Sequence, residues 1–419
     1  MSTLKVNKLR DTAGAADAIT LDPNGGAVLA GVTTVTSVKV GAAVTISESG
    51  IEASGIGITV ANINGGAVGG RRNLIINGAM LVAQRGTSST TNGYGSVDRF
   101  MCTHEGTDEA VTHAQVDVAS GTTPYSLGFR KAMKLTNGNQ TGGGGGNDNV
   151  GISQAIEAQN IASSGWNYKS SSSFITVSFW VKSSVAQNFY GYLYINDGTA
   201  QLYSFETGSL TADTWTKIIK KVPGNSNITI NNDTGFGMQL QLWTFLGTNY
   251  TGTTTLNQWA NYSSSTRIPD MTTTWYTTND STFEMTGVQI EVGPEATSFE
   301  HRTIGEELTL CQRYCYVTNE GGCGVGVGGG SNAVHRCQMN LPVTMRAAPT
   351  VTMNGSTIYT YDGSATAQFN AFVEVHSTTQ AIDWEASESE RTTGTVNTYR
   401  PVIGYIKSES GGVICTAEL

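Results

Sequence analysis

The chain has 419 residues and a formal net charge of −9, and only 14% of its residues are charged, against about 25% in ordinary globular domains. It contains 51 glycines and 8% aromatic residues. Disordered chains have high charge and few aromatic residues, so this composition indicates a folded protein. The sequence has no dense run of Lys and Arg and no long apolar stretch, so nucleic acid and membrane insertion are not expected. The length predicts two or three domains.

The N-terminal residues and the cysteines bear on the cellular compartment. The opening stretch MSTLKVNKLRDTAGAADAITLD has no apolar core of a signal peptide, so export by that route is not expected. In a long chain without such a signal, cysteines are expected as reduced thiols rather than as a disulfide framework. The sequence has six of them: Cys102, Cys311, Cys315, Cys323, Cys337 and Cys415.

Residues 1–72 are small and weakly alternating, as in GVTTVTSVKVGAAVTISESGIEASGIGITV. β-Branched residues favour strands, but these strands are short and no large aromatic side chain is present to fill a core. One copy would bury too little apolar surface to offset the entropy of ordering. We therefore predict an N-terminal stalk in which several copies wind around each other. A flexible linker is the alternative.

Residues 73–303 change to a stronger period-two pattern, which predicts half-buried strands of antiparallel sheets. In ITVSFWVKS, Ile175 and its alternate neighbours share one face, and in FGMQLQLW the apolar residues alternate with Gly and Gln. In NFYGYLYINDG, Tyr190, Tyr192 and Tyr194 share the face opposite the apolar residues, and Asp197-Gly198 indicates a tight turn. Many short strands separated by turns predict a jelly-roll β-sandwich.

Two glycine features interrupt this pattern. In FEMTGVQIEVG the apolar phase changes across Gly287, which predicts a β-bulge at that residue. The five consecutive glycines of 142–146 cannot hold a strand and are predicted to form a loop.

Residues 304–316 predict a helix, because Glu306 and Glu307 fall in its first turn and Leu308, Cys311 and Cys315 form one narrow apolar stripe. A narrow stripe of modest side chains suits a close seam between helices around an axis. We therefore expect a short axial helix whose stripe forms the seam of a trimer. Residues 317–419 return to a β pattern and predict a smaller C-terminal β domain.

Several stretches resemble bacteriophage tail fibre proteins. NLIINGAMLVAQRG at 73–86, followed by VDRF, resembles the start of a module common in those fibres, and GVQIEVGPEATSFEHRTIGEELTLCQRYCY at 287–316 looks like its closing signature. LPVTMRAAPTV is similar to the strand that follows there. STLKVNKLRDTAG resembles the beginning of fibre proteins from phages of marine and cyanobacterial hosts.

The resemblance implies an all-β, trimeric, adhesive fibre that is assembled in the host cytoplasm and carried on the virion. Its N-terminus would be held by a tail or other virion protein, and its C-terminal modules, with residues 317–419 as the tip, would face host polysaccharide or lipopolysaccharide. Two alternatives remain open. The first is a tailspike that degrades polysaccharide, and the second is a virion structural protein, such as a head fibre or tail-assembly component, that binds no receptor.

The segment NYTGTTTLNQWANYSSSTRIPDMTTTWY, residues 249–276, has no period but is rich in aromatic side chains, hydroxyls and amides. Aromatic faces stack on sugar rings, so we consider it a candidate glycan-binding surface. The alternative is that these aromatic residues anchor a long loop to the sandwich. The candidate ligand-binding residues are Trp259, Tyr262, Trp275 and Tyr276.

Acidic residues and metal ligands give weaker patterns. Glycoside hydrolysis needs two suitably spaced carboxylates, and Asp98, Glu105, Asp108 and Glu109 show nothing that distinguishes them from solvated loop acids. We therefore expect no enzymatic activity. Buried thiols explain the candidate zinc ligands better than a zinc site does, and turn chemistry explains the candidate calcium ligands better than a calcium site does. We therefore expect neither a metal nor another cofactor. The residues weighed for metals are Cys311, Cys315, Cys323, His335 and Cys337 for zinc, and Asp197, Asn231, Asn232 and Asp233 for calcium.

Overall fold

The computed structural model describes residues 72–318 without a break and the rest of the chain in shorter segments. The chain divides into two compact units, Met1–Ala61 and Asn62–Leu419. Before residue 72 the described segments are the six strands given next. After residue 318 they are 321–327, 335–354, 357–362, 366–369, 371, 374–386, 391–393, 401–406 and 412–419.

The described strands of Met1–Ala61 pair within the chain as two three-stranded antiparallel sheets. The strands agree with the β character predicted for this region. Winding of several copies into a stalk concerns other chains and stays a prediction. The first sheet contains β1 (Lys8–Leu9), β2 (Ile19–Leu21) and β3 (Ala27–Leu29), and the second contains β4 (Ser37–Val40), β5 (Val44–Ser47) and β6 (Gly50–Ala53).

The second unit begins with the predicted β-sandwich, which is built from two six-stranded antiparallel sheets. Sheet A has the order β15-β12-β18-β10-β9-β7 and sheet B the order β17-β14-β13-β16-β11-β8. The strands of sheet A are β7 (Ser88–Ser89), β9 (Thr112–Asp117), β10 (Lys131–Thr136), β12 (Phe174–Ser183), β15 (Thr216–Pro223) and β18 (Thr282–Val292). Those of sheet B are β8 (Met101–Glu105), β11 (Asn149–Glu157), β13 (Asn188–Ile195), β14 (Gln201–Ser209), β16 (Phe236–Leu246) and β17 (Trp259–Asn261).

The core lies between the two sheets and follows the period-two pattern of the strands. Phe179 of sheet A and Phe205 of sheet B have ring centroids 6.4 Å apart, and Phe189 and Phe283 lie edge to face at 5.0 Å. Such contacts join the sheets through large apolar side chains, which supply most of the stabilising burial. Three short helices connect strands: α1 (Thr123–Ser126), α2 (Ala158–Ala162) and α3 (Thr274–Thr277).

The bulge predicted at Gly287 is present. Ser178 pairs with Gln289 and Trp180 pairs with Thr286, so β18 carries an extra residue between these pairs. Gly287 has a φ of +64°, in the left-handed region that favours glycine. A side chain there would begin 2.6 Å from Phe129 Cζ, so close packing also requires glycine. The glycines at 142–146 lie outside the strands, as predicted.

The helix predicted at 304–316 is present as α4 (Ile304–Gln312) and is shorter than predicted. Its position on a trimer axis concerns other chains and stays a prediction. The helix ends at Gln312 rather than at residue 316 because Cys315 already starts a strand that pairs with Thr416. At its N-terminus, Thr303 and Glu306 exchange hydrogen bonds as a capping box.

The C-terminal part contains a three-stranded sheet and an eight-stranded sheet, both antiparallel. The β character agrees with the prediction, whereas a separate C-terminal domain stays a prediction, because Asn62–Leu419 form one compact unit. The small sheet has the order β19-β29-β22, with β19 (Cys315–Thr318), β22 (Thr350–Asn354) and β29 (Gly412–Thr416). The large sheet contains β20 (Gly321–Val327), β21 (His335–Asn340), β23 (Ile358–Tyr361), β24 (Thr366–Phe369), β25 (Glu374–Ser377), β26 (Ala381–Ala386), β27 (Arg391–Thr393) and β28 (Pro401–Ile406).

A buried polar network joins the sandwich to the C-terminal sheets. Arg99, 1% exposed, stacks its guanidinium 3.5 Å from the ring centroid of Tyr314 and forms an ion pair with Glu418. Glu157 accepts two hydrogen bonds from Arg313, at 2.6 and 2.8 Å, and one from the Tyr314 hydroxyl at 2.5 Å. Buried charges are tolerated when they are paired and hydrogen-bonded in this way.

Candidate functional site

Two of the four aromatic residues considered for glycan stacking are core residues. The exposed fractions of Trp275 and Tyr276 are 0% and 1%. Trp275 Nε1 donates to the Thr282 carbonyl at 3.1 Å, and the Tyr276 ring stacks on Phe245 with centroids 4.3 Å apart. Neither ring presents a face to solvent. Their arrangement is that of anchors that hold residues 249–276 on the sandwich.

The other two aromatic residues are half-buried and lie apart from this pair. Trp259 packs beside Tyr203, with ring centroids 5.4 Å apart, and its Nε1 donates to the Pro223 carbonyl at 2.7 Å. Tyr262 packs on Tyr194 at 4.9 Å, on the outer face of sheet B. The four residues therefore do not converge on one surface, and Tyr194 is partly covered by its own chain.

The stripe predicted to form a trimer seam is partly enclosed by its own chain. Cys311 and Cys315 are both 0% exposed, whereas Leu308 is half-buried. Glu307, a neighbour on the same helix, is also buried. Contact with another copy along this helix would therefore fall on Leu308 and on Ile304, which is 59% exposed. The seam itself concerns other chains and stays a prediction.

The acidic residues considered for catalysis accept hydrogen bonds from neighbouring parts of the chain. Asp98 is fully buried and accepts from the backbone and side-chain nitrogens of Gln84. Asp108 accepts from the Gly142 backbone at 2.6 Å, and Glu109 accepts from the Asn139 backbone at 2.7 Å. The fourth residue, Glu105, lies 3.4 Å from the amide of Asn149.

The described residues contain no cluster of three His, Cys, Asp or Glu side chains that could hold a metal. Burial raises the pKa of Cys102, Cys337 and Cys415 to about 12, so these thiols stay protonated and are poor ligands. The side chains of Cys323 and His335 lie outside the described part. Asp197 accepts two hydrogen bonds from Asn231, as expected of turn chemistry.

The helices of the described segments are all too short or too polar to cross a membrane.

A cavity of about 440 Å³ lies on the outer face of sheet A. We call it the sheet A pocket. Its buried base consists of Phe129, Ser178 and Gly287. Gly287 at the bulge leaves room for the Phe129 ring, so the backbone irregularity of β18 directly shapes this base. Trp180, two residues beyond Ser178 on β12, stands on the same face and forms one side.

An aromatic cluster that includes Phe129 of the base also lines the pocket. Phe299 packs edge to face on Phe129 with ring centroids 4.9 Å apart, and His301 lies 4.9 Å from Phe299 and 5.2 Å from Phe129. His301 Nε2 donates to the Leu127 carbonyl at 2.9 Å, which fixes the orientation of the imidazole. Stacking surfaces are thus held rigidly in this cluster.

Polar groups surround these aromatic surfaces. The hydroxyls of Ser178, Thr297 and Ser298 line the pocket, and Lys217 stands at its edge, directly opposite Trp180 in the pairing of β12 with β15. None of the lining residues is acidic. A half-buried indole beside hydroxyls and a cation can stack on a sugar ring and bind its oxygen atoms.

The sequence analysis did not identify Trp180 as a surface residue. A signal was available: in ITVSFWVKS, Trp180 occupies the phase opposite to Val177 and Phe179, both of which are core residues. A large aromatic residue at an outward-facing position of a strand is a candidate contact for a ligand.

No protein-family model matches this sequence, and no curated protein matches it. Among solved structures, the chain is similar to the enzymatically active domain of bacteriophage CBA120 tailspike protein 4 at 10% identity and a TM-score of 0.29. That match covers 52% of this chain and 21% of the tailspike chain.

Two carbohydrate-related structures are also similar. A putative sugar-binding protein from Bacteroides thetaiotaomicron matches at 11% identity and a TM-score of 0.28, covering 52% of this chain and 99% of that one. The family 11 carbohydrate-binding module from Clostridium thermocellum, in complex with a mixed-linked tetrasaccharide, matches at 12% identity and a TM-score of 0.23, covering 51% and 98%.

Proposed function

We propose that this protein is a homotrimeric phage tail fibre that attaches a virion to host surface glycans without cleaving them, and that the sheet A pocket is its glycan site. The observation that carries the proposal is that Trp180 and Phe299 line the same pocket together with several hydroxyls. The motifs at 73–86 and 287–316, which resemble tail fibres, support the assignment to a virion.

Binding by this pocket has a clear physical basis. The faces of Trp180 and Phe299 offer apolar surface to the C–H side of a sugar ring, while Ser178, Thr297 and Ser298 offer hydrogen bonds to its hydroxyls. A shallow site of this kind is expected to bind one sugar weakly. Three copies on one fibre would convert weak contacts into firm attachment through effective concentration.

Non-catalytic binding is supported by the chemistry of the lining. Glycoside hydrolysis requires a pair of carboxylates at the cleaved bond, and the sheet A pocket offers none among its lining residues. Glu291 accepts hydrogen bonds from the backbone and hydroxyl of the lining residue Thr297, so it already has partners.

The test uses the purified full-length chain and a panel of bacterial polysaccharides immobilised on a surface. Light scattering should give three times the chain mass, and Trp180→Ala should weaken binding at least tenfold while the melting temperature changes little. Tyr361→Ala removes a 41% exposed aromatic side chain of the C-terminal part and is the matched control. Loss of binding in the control alone would move the site to the C-terminal part, and release of reducing ends would identify a tailspike enzyme.

A further inference from the structure

We infer that the sheet A pocket selects glycans that carry anionic groups, such as the carboxylates of uronic acids. This inference rests on the proposed glycan binding and narrows its substrate class. The observation behind it is an unbalanced positive charge at the pocket, although the whole chain has a net charge of −9.

Lys217 is the centre of this charge. It lines the pocket beside Trp180, is exposed, and forms no ion pair among the described residues. An ammonium without a carboxylate partner, placed next to a stacking surface, is free to bind an anionic group of a bound sugar. Because Trp180 of β12 pairs directly with Lys217 of β15, the stacking indole and the ammonium group are held next to each other.

A second cation lies on the same part of sheet A. Lys221 is four residues from Lys217 on β15, so both side chains lie on the same face of the strand. The Nζ of Lys221 lies 4.1 Å from the ring centroid of Phe174. These lysines make the electrostatic potential at this edge of the sheet positive. At physiological ionic strength that potential extends about 8–10 Å before salt screens it.

The neighbouring carboxylates do not cancel this charge at the pocket. Glu284 forms an ion pair with Lys182 at 3.0 Å, and Glu300 accepts from the backbone nitrogens of Arg72 and Asn73. Glu291 accepts from Thr297 and Gln289. Each of these three acids is occupied by the fold, and none lines the pocket. The exposed Glu295 precedes the lining residue Ala296 but does not line the pocket itself.

The experiment compares matched glycan pairs that differ in charge. The purified full-length chain is titrated with polygalacturonate and its methyl ester, and with dextran sulfate and dextran, at low and at physiological salt. We expect the acidic member of at least one pair to bind several times more tightly, with an advantage that falls as salt is added. The carboxylated and sulfated arms identify which anion is preferred.

The variant Lys217→Met keeps the aliphatic stem and removes the charge. It should reduce the preference for the acidic glycan about threefold to tenfold, whereas Lys169→Met, at an exposed lysine outside the pocket, should leave it unchanged. No preference for the acidic member of any pair, or a preference that survives Lys217→Met, would overturn the inference. Equal binding of charged and neutral glycans that still depends on Trp180 would leave the proposed function intact.

Discussion

The backbone N–H of Asn77 donates to Glu307 Oε1 at 2.5 Å, across 230 residues of sequence. Asn77 has a φ of +62°, a left-handed conformation that Asn adopts more readily than most residues. Arg302 also approaches Glu307 and donates to the carbonyls of Asn73 and Ile75. The two motifs that resemble tail fibres are thus bonded to each other, and together they close the sandwich onto α4.

This closure predicts that Glu307→Ala destabilises the protein more than Glu307→Gln. The alanine variant leaves the buried N–H of Asn77 without an acceptor, which costs about 1–3 kcal/mol. The glutamine variant keeps an acceptor oxygen at the same place. Urea unfolding of the purified chains measures the difference. Equal unfolding free energies for the two variants would show that this hydrogen bond is not important for closure.

Strand alternation was sufficient to predict much of the sandwich. Val177 and Phe179 are core residues because successive side chains of a strand point to opposite faces, and this local rule needs no knowledge of the partner strands. The bulge at Gly287 was also readable, because a phase change within a strand requires an extra residue.

The functional residues were harder to predict because their environment depends on distant parts of the chain. Trp275 and Tyr276 lie in a segment without period, and their burial is set by contacts with Gln187 and Asp148. The sheet A pocket likewise combines β12, β15 and the turn at 296–301. No local pattern encodes such a juxtaposition. The end of α4 was misplaced for the same reason, since Cys315 pairs with Thr416 near the other end of the domain.

The burial of Trp275 makes a prediction that separates an anchor from a ligand contact. Trp275→Ala should lower the free energy of unfolding by about 3–5 kcal/mol, because a fully buried indole is lost and a cavity remains. Thermal unfolding followed by circular dichroism measures this, with Trp180→Ala, at a half-buried position, as the control that should cost less. A Trp275→Ala variant that melts like the parent but fails to adsorb to host cells would restore Trp275 as a receptor contact.

Glu157 predicts how stability responds to acid. Burial alone would raise the pKa of its carboxyl, but hydrogen bonds from Arg313 and Tyr314 outweigh burial and hold the pKa below the ordinary value of 4.5. A carboxyl with a lowered pKa in the folded state binds fewer protons there than in the unfolded state. Its stabilising contribution is therefore complete above pH 4.5 and is lost as the pH falls through the folded value.

Urea unfolding at a series of pH values from 7 to about 3 checks this prediction. The parent's unfolding free energy should fall more steeply below pH 4.5 than that of Glu157→Gln, which carries no titrating group at this site. Glu295→Gln, at an exposed acid, is the control and should follow the parent. Parallel curves for the parent and Glu157→Gln would show that the bonds from Arg313 and Tyr314 do not favour the ionised form.

Gly287 connects the stability of sheet A with the shape of its pocket. Alanine at this position must adopt a φ near +64°, which costs roughly 1–2 kcal/mol for an L-residue. Its Cβ would also lie 2.6 Å from Phe129 Cζ and displace the ring that forms the pocket base. Gly287→Ala should therefore lower both the melting temperature and the affinity for glycans.

Gly305→Ala is the matched control, because a Cβ there meets open space within α4, and alanine in a helix is favoured over glycine by up to about 1 kcal/mol. The two substitutions add the same methyl group, so opposite effects on stability, with a loss of glycan affinity only in Gly287→Ala, would tie the bulge to the pocket. A Gly287→Ala variant that binds glycans like the parent would place the binding surface away from Phe129.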